Sequence, residues 1–249
     1  MSLCLANHVV LAKKAVRHFW KSRAAARKKQ LSSGTIDQGE RAGVTAGKNM
    51  DGFIEMVRRI VCRNGLDDTH ILLKRRALTL PGYFRPTKLW DMLIMNEGGL
   101  VAAIEFKSQV GPSFGNNCNN RVEEAIGNAV DLLTAFREGA LGKSSRPFIG
   151  WLMLLEDCEK SRAPVADCSP HFPVFPEFSG ASYADRYDIL CRKLMQESLC
   201  SAACLILSPR NASRSGEYGE LSEMTGLDPF VTGLAGHIAT GAARSKGRS

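Results

Sequence analysis

Residues 89–107 read Leu89-Trp90-Asp91-Met92-Leu93-Ile94-Met95-Asn96-Glu97-Gly98-Gly99-Leu100-Val101-Ala102-Ala103-Ile104-Glu105-Phe106-Lys107, and their reading decides the fold. Two apolar runs flank Asn96-Glu97-Gly98-Gly99, which has the composition of a hairpin loop. The expected strands are Leu89 to Met95 and Leu100 to Gln109. Each carries charge where a strand covered on both faces should carry none. Unpaired charge is costly to bury, so Asp91, Glu105 and Lys107 need partners. Side chains two apart on a strand share a face, so Glu105 and Lys107 project together while Ile104 and Phe106 face the other way. Folding the hairpin brings Asp91 back beside that pair.

Two carboxylates and an ammonium at one sheet edge suit phosphodiester hydrolysis. Mg²⁺ takes one or two carboxylates and fills its other positions with water and phosphate. The cation stabilises charge on the phosphate and acidifies a bound water. A half-buried lysine has an adjustable pKa and suits holding or deprotonating that water. The plainer reading of the same residues is a salt-bridged surface hairpin. The apolar sequence on both faces of each strand argues against it.

Working outward, residues 51–63 have the spacing of an amphipathic helix, with Phe53, Ile54, Val57, Ile60 and Val61 on one side, and Asn64-Gly65 ends it. Residues 70–80 read as a strand and Pro81-Gly82 as a turn. The Gly/Pro/Asn-rich residues 111–120 read as a loop, capped by Asn120 and followed by a helix over 121–138. Phe148 to Leu155 is apolar on both faces, as a central strand is. A helix over 183–198 and a strand over 202–207 follow. The expected fold class is α/β: a mixed central sheet flanked by helices. The expected organisation is a basic N-terminal helix over 1–33, a core over 34–207, and a C-terminal polar segment and basic tail over 208–249, in which 208–226 are polar, 227–239 form a weak apolar segment and the basic end is disordered. In the first of these, Leu5, Val9, Ala12, Val16, Phe19 and Trp20 form a stripe bordered by Lys and Arg. Residues 31–49 read as a loop. Ala46-Gly47-Lys48-Asn49 fails the phosphate-loop pattern, because position 42 is Ala and Asn49 replaces Ser/Thr.

The 249 residues carry 33 Lys and Arg against 25 Asp and Glu, a formal charge of +8. That sign favours a polyanionic partner, nucleic acid first. The eight cysteines are irregularly spaced and form no C-x-x-C, so reduced thiols and a cytoplasmic protein are expected. Cys158, Cys168 and His171 fit no standard zinc spacing. No run of about 18 apolar residues predicts a membrane span.

The stretch Arg85-Pro86-Thr87-Lys88-Leu89-Trp90-Asp91, then Val101 through Ser108, Gly111-Pro112-Ser113-Phe114-Gly115-Asn116-Asn117, Asn119-Asn120-Arg121 and Glu123-Glu124-Ala125 resembles type II restriction endonucleases of the XhoI family. The likeness runs from Gly39-Glu40-Arg41 and Asn49-Met50-Asp51-Gly52-Phe53 through Glu156-Asp157-Cys158-Glu159-Lys160 and Ser169 to Pro176, as far as Cys191-Arg192-Lys193-Leu194. It covers about two-thirds of the chain and stops near residue 200. It implies a restriction-endonuclease-like PD-(D/E)XK nuclease core in a homodimeric, Mg²⁺-dependent enzyme that cuts double-stranded DNA at CTCGAG and leaves 5′-phosphates, with a cognate DNA methyltransferase protecting the host. One departure is Trp90, where the wider superfamily often has proline.

Candidate DNA contacts are Arg85 and Lys88 ahead of the first strand, and Asn116, Asn117, Asn119 and Arg121 after the second. Arginine reads guanine and asparagine reads adenine in the major groove; surface solubility and helix capping are the plainer roles. Glu55 is a candidate auxiliary carboxylate, although an exposed helix glutamate is the simpler reading. Glu123 and Glu124 suit the first turn of their helix, and His171 reads as structural. Two alternatives remain open: a PD-(D/E)XK repair or junction-resolving nuclease, and a non-catalytic basic DNA-binding protein.

Overall fold

The computed structural model describes residues 2–32, 49–142 and 144–246. The loop expected after residue 32 and most of the rejected phosphate-loop stretch lie outside these. In chain order the elements are α1 (His8–Ser32), α2 (Asp51–Arg63), β1 (Ile71–Leu72), β2 (Thr79–Pro81), β3 (Thr87–Leu89), β4 (Met92–Asn96) and β5 (Gly99–Gln109). They continue with α3 (Gly115–Arg137), β6 (Phe148–Glu156), the single-turn α4 (Glu159–Arg162), α5 (Tyr183–Gln196), β7 (Ala202–Ser208) and α6 (Leu227–Lys246).

The main sheet has the order β1-β4-β5-β6-β7. β1, β4 and β5 pair antiparallel, and β5, β6 and β7 pair parallel, so the sheet is mixed. Every residue of β6 and β7 is buried, as strands covered on both faces must be. On one face α1, α2 and α6 pack over Ala102, Ile104, Phe106, Leu152, Leu154 and Ile206. On the other, α3 and α5 pack over Ala103, Trp151, Met153, Leu155 and Leu205. α1 and α2 approach closely at Gly52, where a Cβ would sit 2.6 Å from the Ala15 Cα.

The β4–β5 turn has Asn96 opposite Gly99 and positive φ at both central residues, Glu97 (48°) and Gly98 (75°). Such a two-residue turn matches the right-handed twist of the flanking strands.

Four expectations are corrected. The strand over 70–80 is broken: β1 has two residues, and a 3₁₀ turn over Arg75–Leu78 carries the chain off the sheet. Lys74-Arg75-Arg76 explains this, because three consecutive cations on a strand would turn at least one into the core. Asp91 is not inside a strand; it lies between β3 and β4, which belong to different sheets. The helix expected from 121 starts at Gly115, so Asn120 lies within it and caps nothing. Phe114 and Cys118, both buried, fasten this first turn to the core, with the Phe114 ring stacked on Tyr183 at 5.7 Å. Finally, the weak apolar segment 227–239 is part of a helix that runs on through Lys246, into the tail expected to be disordered, and Leu227, Phe230, Val231, Leu234, Ala235 and Ile238 are buried against the sheet. Glycines 233, 236 and 241 weaken the linear apolar signal, but tertiary packing outweighs helix propensity. A smaller difference is in α1, where Leu11 and Ala15 complete the buried stripe and Val9 is exposed.

Candidate active site

The ladder between β4 and β5 begins at Met92 opposite Ile104. One step on, the chain leaves for β3, and the Phe106 N–H loses a backbone partner. The Asp91 carboxylate takes its place: Oδ2 accepts from Phe106 N at 2.8 Å and lies 3.4 Å from Lys107 Nζ. The strand break therefore holds Asp91 against the Glu105–Lys107 stretch. Trp90 is buried and donates its N–H to Leu78 O at 2.9 Å, a bond that a proline at this position would lack.

Glu105 is 2% exposed. Its Oε1 accepts from Lys88 Nζ at 2.7 Å, and its Oε2 is ion-paired with Lys107. Lys88 also meets the Leu89 carbonyl, and its ammonium lies 5.3 Å from the Trp90 ring centroid. Glu105 thus sits between two ammonium groups, as a buried carboxylate requires. Burial pushes the Lys107 ammonium down, but the Glu105 and Asp91 carboxylates outweigh it and hold Lys107 above the ordinary lysine value. Lys107 is a cation at neutral pH.

Asp91 and Lys107 open onto a cleft of about 830 Å³, also lined by Asp51, Glu55, Arg58, Arg75, Trp90 and Arg121. Among the described residues no group of three or more His, Cys, Asp or Glu side chains converges to hold a metal. A two-carboxylate site needs no third, since Mg²⁺ keeps several waters. The donors present fit such a cation. Asp91 and Glu105 are hard oxygen ligands, and Glu105 Oε2 is buried without a hydrogen bond of proper geometry, its neighbour being the Lys107 ammonium.

The other sequence candidates divide. Arg121 reaches the cleft and pairs with Glu124. Asn116 and Asn117 are exposed on the first turn of α3, where Asn117 Nδ2 donates to Ser113 O at 3.0 Å. Asn119 faces the opposite way, into an apolar groove between α3 and α5. Glu55 lines the cleft, but its carboxylate is held by Arg58 and Arg59. Arg85 is turned inward: Nε donates to Asp131 Oδ2 and Nη2 to Asn128 Oδ1, each at 2.7 Å. Sequence reasoning missed two partnerships, that of Lys88 with Glu105 and that of Asp131 with the 82–86 turn. Each spans 17 or more positions and has no local signature. Arg58 and Arg75 were missed as cleft residues because their elements meet β5 only in the fold.

A mixed sheet whose antiparallel hairpin presents Asp, Glu-x-Lys at a strand break is the core of a PD-(D/E)XK nuclease. Comparison with known proteins narrows this. A sequence profile described as "Restriction endonuclease XhoI" matches residues 29–220, beyond the residue-200 limit of the resemblance above. The type II restriction enzyme XhoI of Xanthomonas vasicola is 55% identical over 212 residues, covering 84% of each chain. The type II restriction enzyme BstVI of Geobacillus stearothermophilus is 47% identical over 212 residues, 83% of this chain and 94% of its own. The type II restriction enzyme AbrI of Azospirillum brasilense is 59% identical over 172 residues, 69% and 77% of the two chains. No solved structure matches. The chain belongs to the XhoI restriction endonuclease family and is a type II restriction endonuclease. Among the described residues no helix is long and apolar enough to cross a membrane.

Proposed function

We propose that Asp91, Glu105 and Lys107 are the catalytic centre, that Asp91 and Glu105 hold Mg²⁺, and that the enzyme cuts both strands of DNA at CTCGAG, leaving 5′-phosphates. The observation that carries this is the Asp91 carboxylate, fixed by the Phe106 N–H beside Lys107, whose ammonium is in turn ion-paired with the buried Glu105. Bound there, the cation supplies Lewis-acid stabilisation of phosphate charge and acidifies water. Asp91 and Glu105 are preorganised, because the strand break and the β5 backbone fix them before substrate arrives. Lys107, kept as an ammonium, donates hydrogen bonds to the attacking water and the phosphate oxygen rather than serving as base. Attack in line with the 3′-oxygen leaves the phosphate on the 5′ end.

DNA contacts fall to Arg121 in the cleft and to Asn116 and Asn117 beside it, with Arg75 and Arg58 as phosphate contacts along the wall. A palindrome suits a two-fold dimer with one active site per strand, and a cognate methyltransferase completes the system.

The test is digestion of a plasmid of known sequence with the purified chain and Mg²⁺, followed by sequencing of the ends. Cleavage at CTCGAG is expected. Asp91→Ala, Glu105→Ala and Lys107→Ala should each lower the cutting rate by about 10³-fold or more while leaving a folded protein. Full activity in any one of them would falsify the assignment of that residue.

A further inference from the structure

The β2–β3 hairpin has a stem of three residue pairs: Thr79 with Leu89, Leu80 with Lys88, and Pro81 with Thr87. The stem borders the cleft at Leu89, with Leu78 and Trp90 just beyond its open end also lining it, and carries Lys88 to Glu105. Its tip, residues 82–86, is held rigidly from outside. Asp131 of α3, with its side chain 5% exposed, accepts from Tyr83 N at 2.7 Å and Phe84 N at 2.8 Å through Oδ1, and from Arg85 through Oδ2. Gly82 admits no side chain there, since a Cβ would lie 2.5 Å from Asp131 Oδ2.

All this fixes a turn whose outward side chains are two large aromatics. Tyr83 is 53% and Phe84 69% exposed, packed edge to face with ring centroids 5.0 Å apart. Exposed paired aromatics on a braced turn contribute little to the core and mark a contact surface. Charge identifies the partner. From Lys74 to Trp90 there is no carboxylate; Arg85 and Lys88 are neutralised by Asp131 and Glu105, but Lys74, Arg75 and Arg76 are exposed, and Arg75 lines the cleft. In a contact with a second copy across a two-fold axis this patch would face itself, cation to cation. A polyanion complements it. At strand spacing the seven positions from Phe84 to Asp91 span at most about 23 Å, or about seven base steps along a duplex.

We propose that this hairpin is a DNA wedge. Phe84, braced by Tyr83, packs against a base step of the duplex held in the cleft and loosens its stacking, as apolar wedges do elsewhere, while Asp131 sets the distance between wedge and active site. The inference rests on the reading of the cleft as the catalytic centre.

The test uses the full chain, Ca²⁺ in place of Mg²⁺, and short duplexes containing the site found by end sequencing. In these, 2-aminopurine replaces single adenines inside and beside the site. Wild-type binding should raise the fluorescence at one position. Phe84→Ala should abolish that rise and weaken binding at least about tenfold, raising KM more than it lowers kcat. Phe84→Leu should keep most of both, and Tyr83→Phe all of both. A wild-type complex without a rise at any position overturns the wedge. So does a Phe84→Ala protein that binds unchanged, or one whose only defect is loss of the dimer in sedimentation, which would make the tip a contact between copies. Asp91→Ala separates the two readings: it should lose cutting and keep the fluorescence rise. An Asp91→Ala protein that still cuts sinks the catalytic reading while leaving the wedge tested on its own signal.

Discussion

The protein contains two adjacent hairpins, and they are held together differently. The β4–β5 hairpin is long, buried on both faces and closed by a two-residue turn with positive φ at Glu97 and Gly98. The turn sets its register as far as Met95 opposite Leu100, and a bulge between Ile94 and Met95 then shifts the pairing by one residue, all within the hairpin itself. The β2–β3 hairpin has only three pairs, lies outside the main sheet, and is held at its tip by a carboxylate from a helix some 48 positions away. A short two-stranded ribbon is marginal in water by itself. Both deliver side chains to Glu105: the first supplies Lys107 and the second Lys88. The proposed active site thus depends on a locally encoded hairpin and on one that only tertiary contact stabilises.

That contrast can be broken by mutation. Asp131→Ala removes the acceptor for two N–H groups and a guanidinium, and should cost about 2–3 kcal/mol in urea unfolding. Because Lys88 hangs on the same hairpin, cutting should fall as well. Unchanged stability and activity would show that the short hairpin stands without its anchor. Glycines give a smaller and sharper comparison. Gly82→Ala drives a Cβ into Asp131 and the Arg85 carbonyl, which lies 2.6 Å away, and should cost about 1–3 kcal/mol. Gly98→Ala meets open space and bears only the strain of its positive φ, so ~1 kcal/mol is expected. Equal losses in thermal melts would erase the distinction between tertiary and local closure.

The smallest effect is on pH dependence. Burial pushes the Asp131 carboxyl up, but the Phe84 and Tyr83 N–H groups and Arg85 outweigh it and hold it below its ordinary value of 3.8. The stability this lends is complete above that value and is lost as pH falls through the lower, folded one. The stability gap between wild type and Asp131→Asn should be constant above about pH 5 and narrow on acidification toward about pH 3. A gap that widens in acid would contradict the assigned direction.

Much of the fold was legible because strands buried on both faces betray themselves as continuous apolar runs, as Phe148–Glu156 does. The Asp91, Glu105 and Lys107 constellation was legible as charge placed where burial forbids it, reinforced by the family likeness around it. The early start of α3 was not, because Asn116 to Asn120 read as loop while only Phe114 and Cys118 reach the core. Helix α6 read only as a weak apolar segment over 227–239, because its glycines dilute the pattern. Arg85 and Lys88 read as surface cations, and the structure turns both inward.

By itself the sequence determined the alternation that sets the sheet, the hairpin through Glu97 and Gly98, and the side-by-side projection of Glu105 and Lys107. These depend on neighbours a few positions apart, whose geometry the backbone dictates. Tertiary structure alone decided that Asp91 stands at a strand break, that Lys88 pairs with Glu105, and that Asp131 braces an aromatic tip. Each of these joins charged groups far apart along the chain, and a charge finds its partner only where folding has already excluded water.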